Sequence, residues 1–325
     1  VGDWATGESI ISQPQFNWQP FMHLARTHCV LPMLAWNLKV RSQAWEDLPK
    51  TVRTDLGVAM VLAQHRRTFY ETGLAPVFDD LQAQGIEFAL MKGAVVIESV
   101  YPRDARLLND FDLLIPVDFC SQAVKIFLGH GFQPLSEMPD PVARHQVSLV
   151  KGRGVGSLSV DLHWDVYPRD RPFQFRVEEV FARANLQNFG GRQVPGMSPE
   201  DIFVHYATQL VNDGFRHAFV RFCDLYGLMA TGLDQNKLLS IAREAGATGI
   251  MYTALRAARL LGGRVPQESL DELAKGYPGC VIATNFLLNP QWIFGRKRLA
   301  YGIEKILAGV YVPDTGRRRT YWRAF

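Results

Sequence analysis

The feature that most constrains the fold is a change in hydrophobic spacing at residue 85. Apolar residues recur at helical spacing from about residue 52 to residue 84, which predicts one long helix that Gly85 ends. The next residues, 86–91, form a short and continuous apolar run, which is typical of a buried strand. A long helix therefore leads directly into a β-sheet, and this favours a mixed fold over an all-helical one.

Three further segments of the central part have the pattern of strands. Residues 110–115 alternate between polar and apolar side chains, and residues 145–150 and 157–164 are two strands joined by the glycine-rich turn 151–156. We therefore predict an α+β fold, in which a small mixed β-sheet with its helices is flanked by N-terminal and C-terminal helical regions.

The length of 325 residues fits two domains, or one domain with large helical additions. Ser198 and Pro199 form a good helix start, and a helical pattern continues from there to about residue 310. We predict a division into three parts. These are an N-terminal helical region (1–52), an α/β core (53–190) and a C-terminal helical domain (191–325).

Charge and cysteine content argue against several classes of protein. The net charge of +3, from 35 basic and 32 acidic residues, is too weak to indicate a nucleic-acid partner. An arginine cluster at residues 317–319 and 323 is interpreted as a solvated tail. The four cysteines form no CxxC pair, which argues against a disulfide framework or a structural zinc site and favours a reducing compartment.

One uncharged stretch, residues 276–295, is about long enough to cross a bilayer. Proline, asparagine and glutamine interrupt it, so we interpret it as a buried helix and turn. We predict a soluble cytoplasmic protein with no membrane partner. The sequence has no Walker A, HExxH or GxSxG motif, and the glycines at 152, 154 and 156 are predicted to form a hairpin turn.

Three aspartates are the candidate reactive groups. Asp110 and Asp112 lie two residues apart on one face of a predicted strand, and Asp161 shares a face of another strand with His163. If the two strands are neighbours, the three carboxylates converge. Carboxylates this close repel each other, and a divalent cation such as Mg²⁺ removes that conflict. An Asp-x-Asp pair alone is also common at strand ends and turns, where it is structural.

Residues 90–93 (L-M-K-G), Tyr101, Arg106, residues 110–112 (D-F-D) and residues 160–164 (V-D-L-H-W) resemble the signature of an uncharacterised nucleotidyltransferase family. That family belongs to the polymerase-β-like nucleotidyltransferase superfamily, and the resemblance covers roughly residues 18–245. It implies transfer of a nucleoside monophosphate from an NTP, with release of pyrophosphate and dependence on Mg²⁺ or Mn²⁺. The acceptor is unidentified and is a small molecule, a peptide or a protein.

The resemblance implies roles for individual residues. Asp110, Asp112 and Asp161 are the predicted catalytic residues and metal ligands, with Asp161 also the general base. Lys92, Gly93 and Arg106 are predicted to bind the nucleotide. From their positions in the sequence pattern, His163 is predicted to orient Asp161 or to contact the acceptor, and His145 to reach the same cleft. Arg221 is predicted to line a pocket for the acceptor or the base.

Several of these residues have a structural alternative. Lys92 can form a salt bridge to an aspartate of the site, and Arg106 can anchor its loop. His163 can be a satisfied structural histidine, and Arg221 with Asp224 fits a helix-surface ion pair.

The chain departs from the superfamily at one point. The superfamily usually has Gly-Gly or Gly-Ser where this sequence has Lys92-Gly93. The departure suggests one alternative to an active nucleotidyltransferase, a degenerate relative that binds nucleotide without transferring it. Two further alternatives are another Mg²⁺-dependent phosphotransfer enzyme that uses the same acidic site, and a nucleic-acid-binding module.

Overall fold

A computed structural model of the chain describes residues 4–275, except 103, 137–143, 170, 172, 214, 216, 217, 262 and 264, together with residues 281 and 284. The arginine cluster at 317–323 and nearly all of the uncharged stretch 276–295 lie outside the described residues. Within them, no helix has the length and apolarity needed to cross a membrane.

Helices precede and follow a central set of strands. The helices are α1 (Trp4–Ile11), α2 (Trp18–Thr27), α3 (Leu31–Arg41), α4 (Lys50–Ala83), α5 (Lys92–Ser99), α6 (Cys120–Gly129), α7 (Val177–Ala182), α8 (Pro199–Asn212), α9 (Ala218–Ala230), α10 (Gln235–Glu244), α11 (Thr248–Leu260) and α12 (Gln267–Ala274). The strands are β1 (Ala89–Leu90), β2 (Phe111–Leu114), β3 (Gln133–Pro134), β4 (Gln146–Lys151), β5 (Leu158–His163), β6 (Asn185–Phe189) and β7 (Arg192–Gly196).

The strands of the described residues form one mixed sheet in the order β3-β4-β5-β2-β1-β7-β6. The pairs β2–β5 and β1–β7 are parallel, and the other neighbours are antiparallel. This confirms the predicted mixed sheet with helical regions on either side. The turn at residues 152–156 joins antiparallel β4 and β5, so its interpretation as a hairpin turn is also confirmed.

The hairpin of β6 and β7 is not apparent in the sequence pattern. Its strands are short and mostly polar, and its turn is made by Gly190 and Gly191, both with positive φ. The pattern therefore lacks the apolar alternation that marks a strand. The boundary predicted at residue 190 falls in this turn, and the division into domains stays a prediction.

The predicted helix 52–84 is confirmed as α4, which spans 34 residues and contributes to two hydrophobic cores. Its first half contributes Val52, Leu56 and Met60 to a small core with residues of α2 and α3. Its second half contributes Tyr70 and Phe78 to the large core around the sheet. The helix therefore connects the N-terminal helical region rigidly to the sheet.

Helix α4 lies directly against the strands that carry the aspartates. A Cβ atom added at Gly73 would lie 2.4 Å from Cδ1 of Leu158 in β5, so a larger residue there would require Leu158 to shift. The rings of Tyr70 and Phe111 stack with centroids 5.7 Å apart. Because side chains alternate along a strand, Phe111 faces α4 and Asp112 faces the opposite side of the sheet.

Candidate active site

The register of the central strands places two of the aspartates side by side. Asp112 of β2 pairs with Asp161 of parallel β5, and Asp161 pairs in turn with Ser148 of antiparallel β4. The Ser148 hydroxyl donates a hydrogen bond of 2.5 Å to Oδ1 of Asp161. The condition set by the sequence analysis, that the two strands be neighbours, is therefore met.

Two donors converge on one oxygen of Asp112. The Lys92 Nζ lies 2.5 Å from Oδ1, and the His163 Nε2 lies 2.9 Å from the same atom. Asp112 is 3% exposed and His163 is 1% exposed. A carboxylate this deeply buried requires such partners, because burial of an unpaired charge is costly. No described residue donates a side-chain hydrogen bond to Oδ2 of Asp112.

The contacts determine the charge of each group. Burial raises the pKa of Asp112, but Lys92 and His163 outweigh it and hold that pKa well below its ordinary value. Burial lowers the pKa of His163, and Lys92 lowers it further, so the imidazole is neutral at pH 7. Since a carboxylate only accepts, Nε2 carries the proton of this imidazole. Its buried Nδ1 then has a free lone pair, with no hydrogen-bond partner among the described residues.

Asp110 lies just before β2, at the exposed end of the site. Partial desolvation raises the pKa of its carboxyl, the charge of Asp112 adds to that rise, and Lys92 opposes it. Asp110 therefore shares the electrostatic field of the other acids, although it is not part of the tightest cluster.

The donor set fits a divalent cation. One possible ligand atom from each of Asp112, Asp161 and His163 lies within 4.8 Å of the other two. Carboxylate oxygens are the ligands that Mg²⁺ and Mn²⁺ prefer. The three aspartates carry three negative charges, and the Lys92 ammonium carries one positive charge. The remaining two negative charges match the charge of one such cation.

Lys92 also has an unusual backbone. It is the first residue of α5 and has φ of +47°, in the left-handed region that side chains rarely adopt. A lysine thus makes this turn, and its ammonium binds the acid of the next strand. Gly93 follows as the second residue of α5, and a Cβ atom there would lie 3.2 Å from Cδ1 of Leu108.

A second buried acidic cluster holds the loop before β2. Asp224 of α9 is fully buried, and its oxygens lie 3.1 and 3.0 Å from Nε and Nη2 of Arg106. The Tyr101 hydroxyl donates a hydrogen bond of 2.8 Å to the same carboxylate. Burial alone lowers the pKa of Arg106, but Asp224 raises it on balance and keeps the guanidinium charged. We call these three residues the Asp224 cluster.

Comparison with known proteins identifies the family. The family described as "Uncharacterised nucleotidyltransferase" matches residues 14–263 of this chain. The chain belongs to this family. The match includes every residue of the candidate site and of the Asp224 cluster, and it confirms the resemblance drawn from the sequence motifs.

A solved structure is also similar to this chain. It is an antigenic nucleotidyltransferase-like protein from Paracoccidioides brasiliensis, with 21% sequence identity and a TM-score of 0.39. The similarity covers 67% of this chain and 91% of the other. It is too low to assign a fold or a function. None of the curated proteins matches the chain significantly.

The remaining predicted site residues lie at different distances from the acids. The imidazole of His145 lies beside that of His163, with ring centroids 5.6 Å apart, so both histidines reach the same side of the sheet. Arg221 forms an ion pair of 2.9 Å with Asp213. Asp224 is fully buried, so it is not the helix-surface partner that the spacing of Arg221 and Asp224 suggests. For Arg106, the bidentate contact with Asp224 favours loop anchoring over nucleotide binding.

Ser148 has no role in the sequence-based prediction, and His205 belongs to a polar helical series for which an acceptor or base pocket facing the sheet is one interpretation. Ser148 is a polar residue between Val147 and Leu149, a pattern that many half-buried strands share. His205 of α8 is 1% exposed, and neither of its ring nitrogens has a hydrogen-bond partner among the described residues. Burial lowers the pKa of His205, and Lys92 lowers it further, so this histidine is neutral. Only a three-dimensional structure places Ser148 and His205 near the acids.

Proposed function

We propose that this protein is a divalent-metal-dependent nucleotidyltransferase that transfers a nucleoside monophosphate from an NTP to an acceptor. Asp110, Asp112 and Asp161 hold Mg²⁺ or Mn²⁺ in this proposal, and Lys92 with the first turn of α5 binds the triphosphate. The observation that supports it best is the register of Asp112 with Asp161, with Lys92 on Asp112 at the start of a helix. Family membership supports the reaction class.

The residues of the site contribute by orientation and charge. Ser148 fixes one oxygen of Asp161, and His163 fixes one oxygen of Asp112, so both carboxylates are held before a ligand arrives. The first N–H groups of α5 and the Lys92 ammonium form an environment suited to phosphate oxygens. A bound divalent cation supplies charge stabilisation at the phosphoryl oxygens.

The proposed reaction exchanges one phosphorus–oxygen bond for a new bond to phosphorus. The acceptor nucleophile bonds to the α-phosphorus, and the bond from that phosphorus to the α,β-bridging oxygen breaks. Pyrophosphate leaves with the electron pair of the broken bond. A carboxylate of the site takes the proton from the nucleophile, and Asp161 is the residue we propose for this role.

One observation favours a second candidate function, nucleotide binding without transfer. The Lys92 ammonium already forms a salt bridge with Oδ1 of Asp112. If this contact persists when nucleotide binds, the acids are neutralised by the lysine and the site holds a nucleotide without activating it. Pyrophosphate release separates the two functions.

The test is a titration of Mn²⁺ with each of the four NTPs, followed by heat release and by pyrophosphate formation. Wild type is compared with Asp112→Asn, Asp161→Asn and the control Asp79→Asn. Asp79 is an exposed aspartate whose partner is Arg192, so the control removes a carboxylate charge outside the site.

We expect metal-dependent NTP binding in wild type and in the control, and its loss in both site variants. Pyrophosphate release in the presence of a cell extract as acceptor source supports transfer. Metal-dependent binding without any pyrophosphate supports the second candidate. If folded wild type binds no NTP with metal, the proposal is wrong and the acids form a structural cluster.

A further inference from the structure

Two buried side chains of α4 reach the backbone of both strands that carry the aspartates. Arg66 donates hydrogen bonds to the carbonyl oxygen of Asn109 at 2.9 Å and to that of Ser157 at 2.5 Å. It also donates to the carbonyl of Leu108 at 3.4 Å. One guanidinium thus joins the residues that precede β2 to the residue that precedes β5.

Tyr70 makes the second connection, one helical turn further along α4. Its hydroxyl proton is shared between the carbonyl oxygens of Asn109 at 2.9 Å and Ser159 at 3.1 Å. The same oxygen accepts from the Ser159 amide at 3.2 Å and from Nη2 of Arg66 at 2.9 Å. The Arg66 guanidinium also lies over the Tyr70 ring, 4.9 Å from its centroid. The two side chains therefore act as one unit.

The connected backbone lies next to the acids. Asn109 directly precedes Asp110, and Ser159 lies two residues before Asp161 on the same strand. The ladder of β2 and β5 begins only at Phe111 and Val160. Arg66 and Tyr70 therefore connect the two strands where the ladder has not yet begun. Both side chains are shielded from solvent, since Arg66 is 9% exposed and Tyr70 is fully buried.

We propose that Arg66 and Tyr70 are positioning residues, which set the distance between Asp110 and Asp161 as ligands of the divalent cation. The inference rests on the proposed function, because it assumes that these carboxylates bind a metal. Residues that orient metal ligands typically change metal affinity by about 10- to 100-fold when they are altered.

Helix α4 offers a matched control in the next residue. Arg67 is 6% exposed and, like Arg66, contacts the side chain four residues on, here Glu71. It also donates to the Ile97 carbonyl and to Glu98 in the second half of α5, away from the acids. Arg67→Lys therefore removes a guanidinium of similar burial from the same helix. For Tyr70→Phe, the control is Tyr226→Phe, which removes a hydroxyl that donates to the Ala258 carbonyl.

The experiment measures the Kd of Mn²⁺ by the electron paramagnetic resonance of the free ion, without nucleotide. It uses wild type, Asp112→Asn, Arg66→Lys, Tyr70→Phe and the two controls. The free energy of urea unfolding is measured for each protein, and amide hydrogen exchange at Ser159 is followed in wild type, Tyr70→Phe and Tyr226→Phe. A purely structural role lowers the unfolding free energy but does not change the Kd of the folded protein.

We expect the Mn²⁺ Kd to rise at least about tenfold in Tyr70→Phe and Arg66→Lys and to change less than twofold in both controls. Exchange at Ser159 should become faster in Tyr70→Phe relative to Tyr226→Phe. Wild-type Kd in both α4 variants overturns the inference but leaves the proposed function standing. Failure of wild type to bind Mn²⁺, or unchanged binding in Asp112→Asn, overturns the proposed function and the inference with it.

Discussion

The Asp112 site and the Asp224 cluster are both buried carboxylates with a basic partner, yet they are built differently. Asp224 is bonded on both oxygens, by a bidentate arginine and a tyrosine. At Asp112, the lysine and the histidine both lie on Oδ1. In the sheet, Asp112 lies beside a second carboxylate, whereas Asp224 lies beside the guanidinium of Arg106. Both oxygens of Asp224 are thus engaged by its partners, whereas Oδ2 of Asp112 has no side-chain donor among the described residues and is open to a ligand.

The difference assigns the motif residues of this family to two tasks. One group of motif residues lies together at the candidate site: Lys92, Asp112, Asp161 and His163. Tyr101 and Arg106 lie between them in the sequence but contact α9 of the C-terminal part. The same motif therefore supplies residues of the site and anchors the loop before β2 to α9.

The largest effect is expected when a substitution breaks the Asp224 cluster. Asp224→Asn leaves the buried Arg106 guanidinium without its carboxylate, and we expect a loss of about 3–5 kcal/mol in unfolding free energy. Urea unfolding measures it. Asp79→Asn, which removes an exposed ion pair with Arg192, should cost below about 1 kcal/mol.

For Asp224→Asn, the unfolding free energy and metal-dependent NTP binding are measured on the same variant and compared. If the variant remains as stable as wild type but loses metal-dependent NTP binding, the Asp224 cluster belongs to the ligand site. The comparison with the Asp112 site then fails.

The second prediction concerns the stability of the protein at low pH. The pKa of Asp112 lies below its ordinary value of 3.8, so its stabilising contribution is complete above pH 3.8 and is lost as the pH falls below it. In chelator, wild type should therefore lose about 2 kcal/mol more than Asp112→Asn between pH 6 and pH 2. Urea unfolding across this range measures the difference. Equal slopes for the two proteins would show that Asp112 is not held ionised by its partners.

How far the sequence predicts this molecule depends on the range of the interaction. The long helix α4 and the strands β2, β4 and β5 follow from periodicity, because each has apolar residues on one repeating face. The β6–β7 hairpin is polar and short, and only its pairing with β1 reveals it. Pairing between strands far apart in sequence is not encoded in local spacing.

The site follows the same rule. The aspartates are visible as residues two apart on a strand, and Lys92 as a charge at the end of an apolar run. The partner of Arg106 is 118 residues away, so the sequence leaves its role open. In the sequence, Arg66 and Tyr70 cannot be distinguished from the other polar and aromatic residues of the helical pattern. Their contacts with the backbone before β2 and β5 appear only when α4 lies on the sheet.

The third prediction separates the backbone of Lys92 from its charge. Lys92→Gly and Lys92→Ala both lose the contact with Asp112, but only glycine relieves the strain of φ +47°. We expect Lys92→Gly to be about 1 kcal/mol more stable than Lys92→Ala in urea unfolding. At Lys125, an exposed position inside α6, the order should be reversed by about 1 kcal/mol.

Both substitutions at Lys92 should weaken NTP binding by the same factor, since the ammonium is lost in each. Equal stability of the two variants would mean that the strain at Lys92 is absent. Tighter Mn²⁺ binding in Lys92→Gly than in wild type would show that the lysine competes with the metal.

The smallest expected effect has the opposite sign for stability and for function. The pKa of Asp110 is raised, so its folded carboxyl holds a proton more tightly than the unfolded one, and its charge costs stability above the folded pKa. Asp110→Asn should therefore stabilise the protein at pH 7 in chelator by less than about 1 kcal/mol, because the carboxyl is exposed and screened. The same variant should weaken Mn²⁺ binding. Asp47→Asn, at an exposed turn, should change neither quantity. A destabilised Asp110→Asn would mean that Asp110 is a structural partner of its loop, and the acids would then form a pair rather than a group of three.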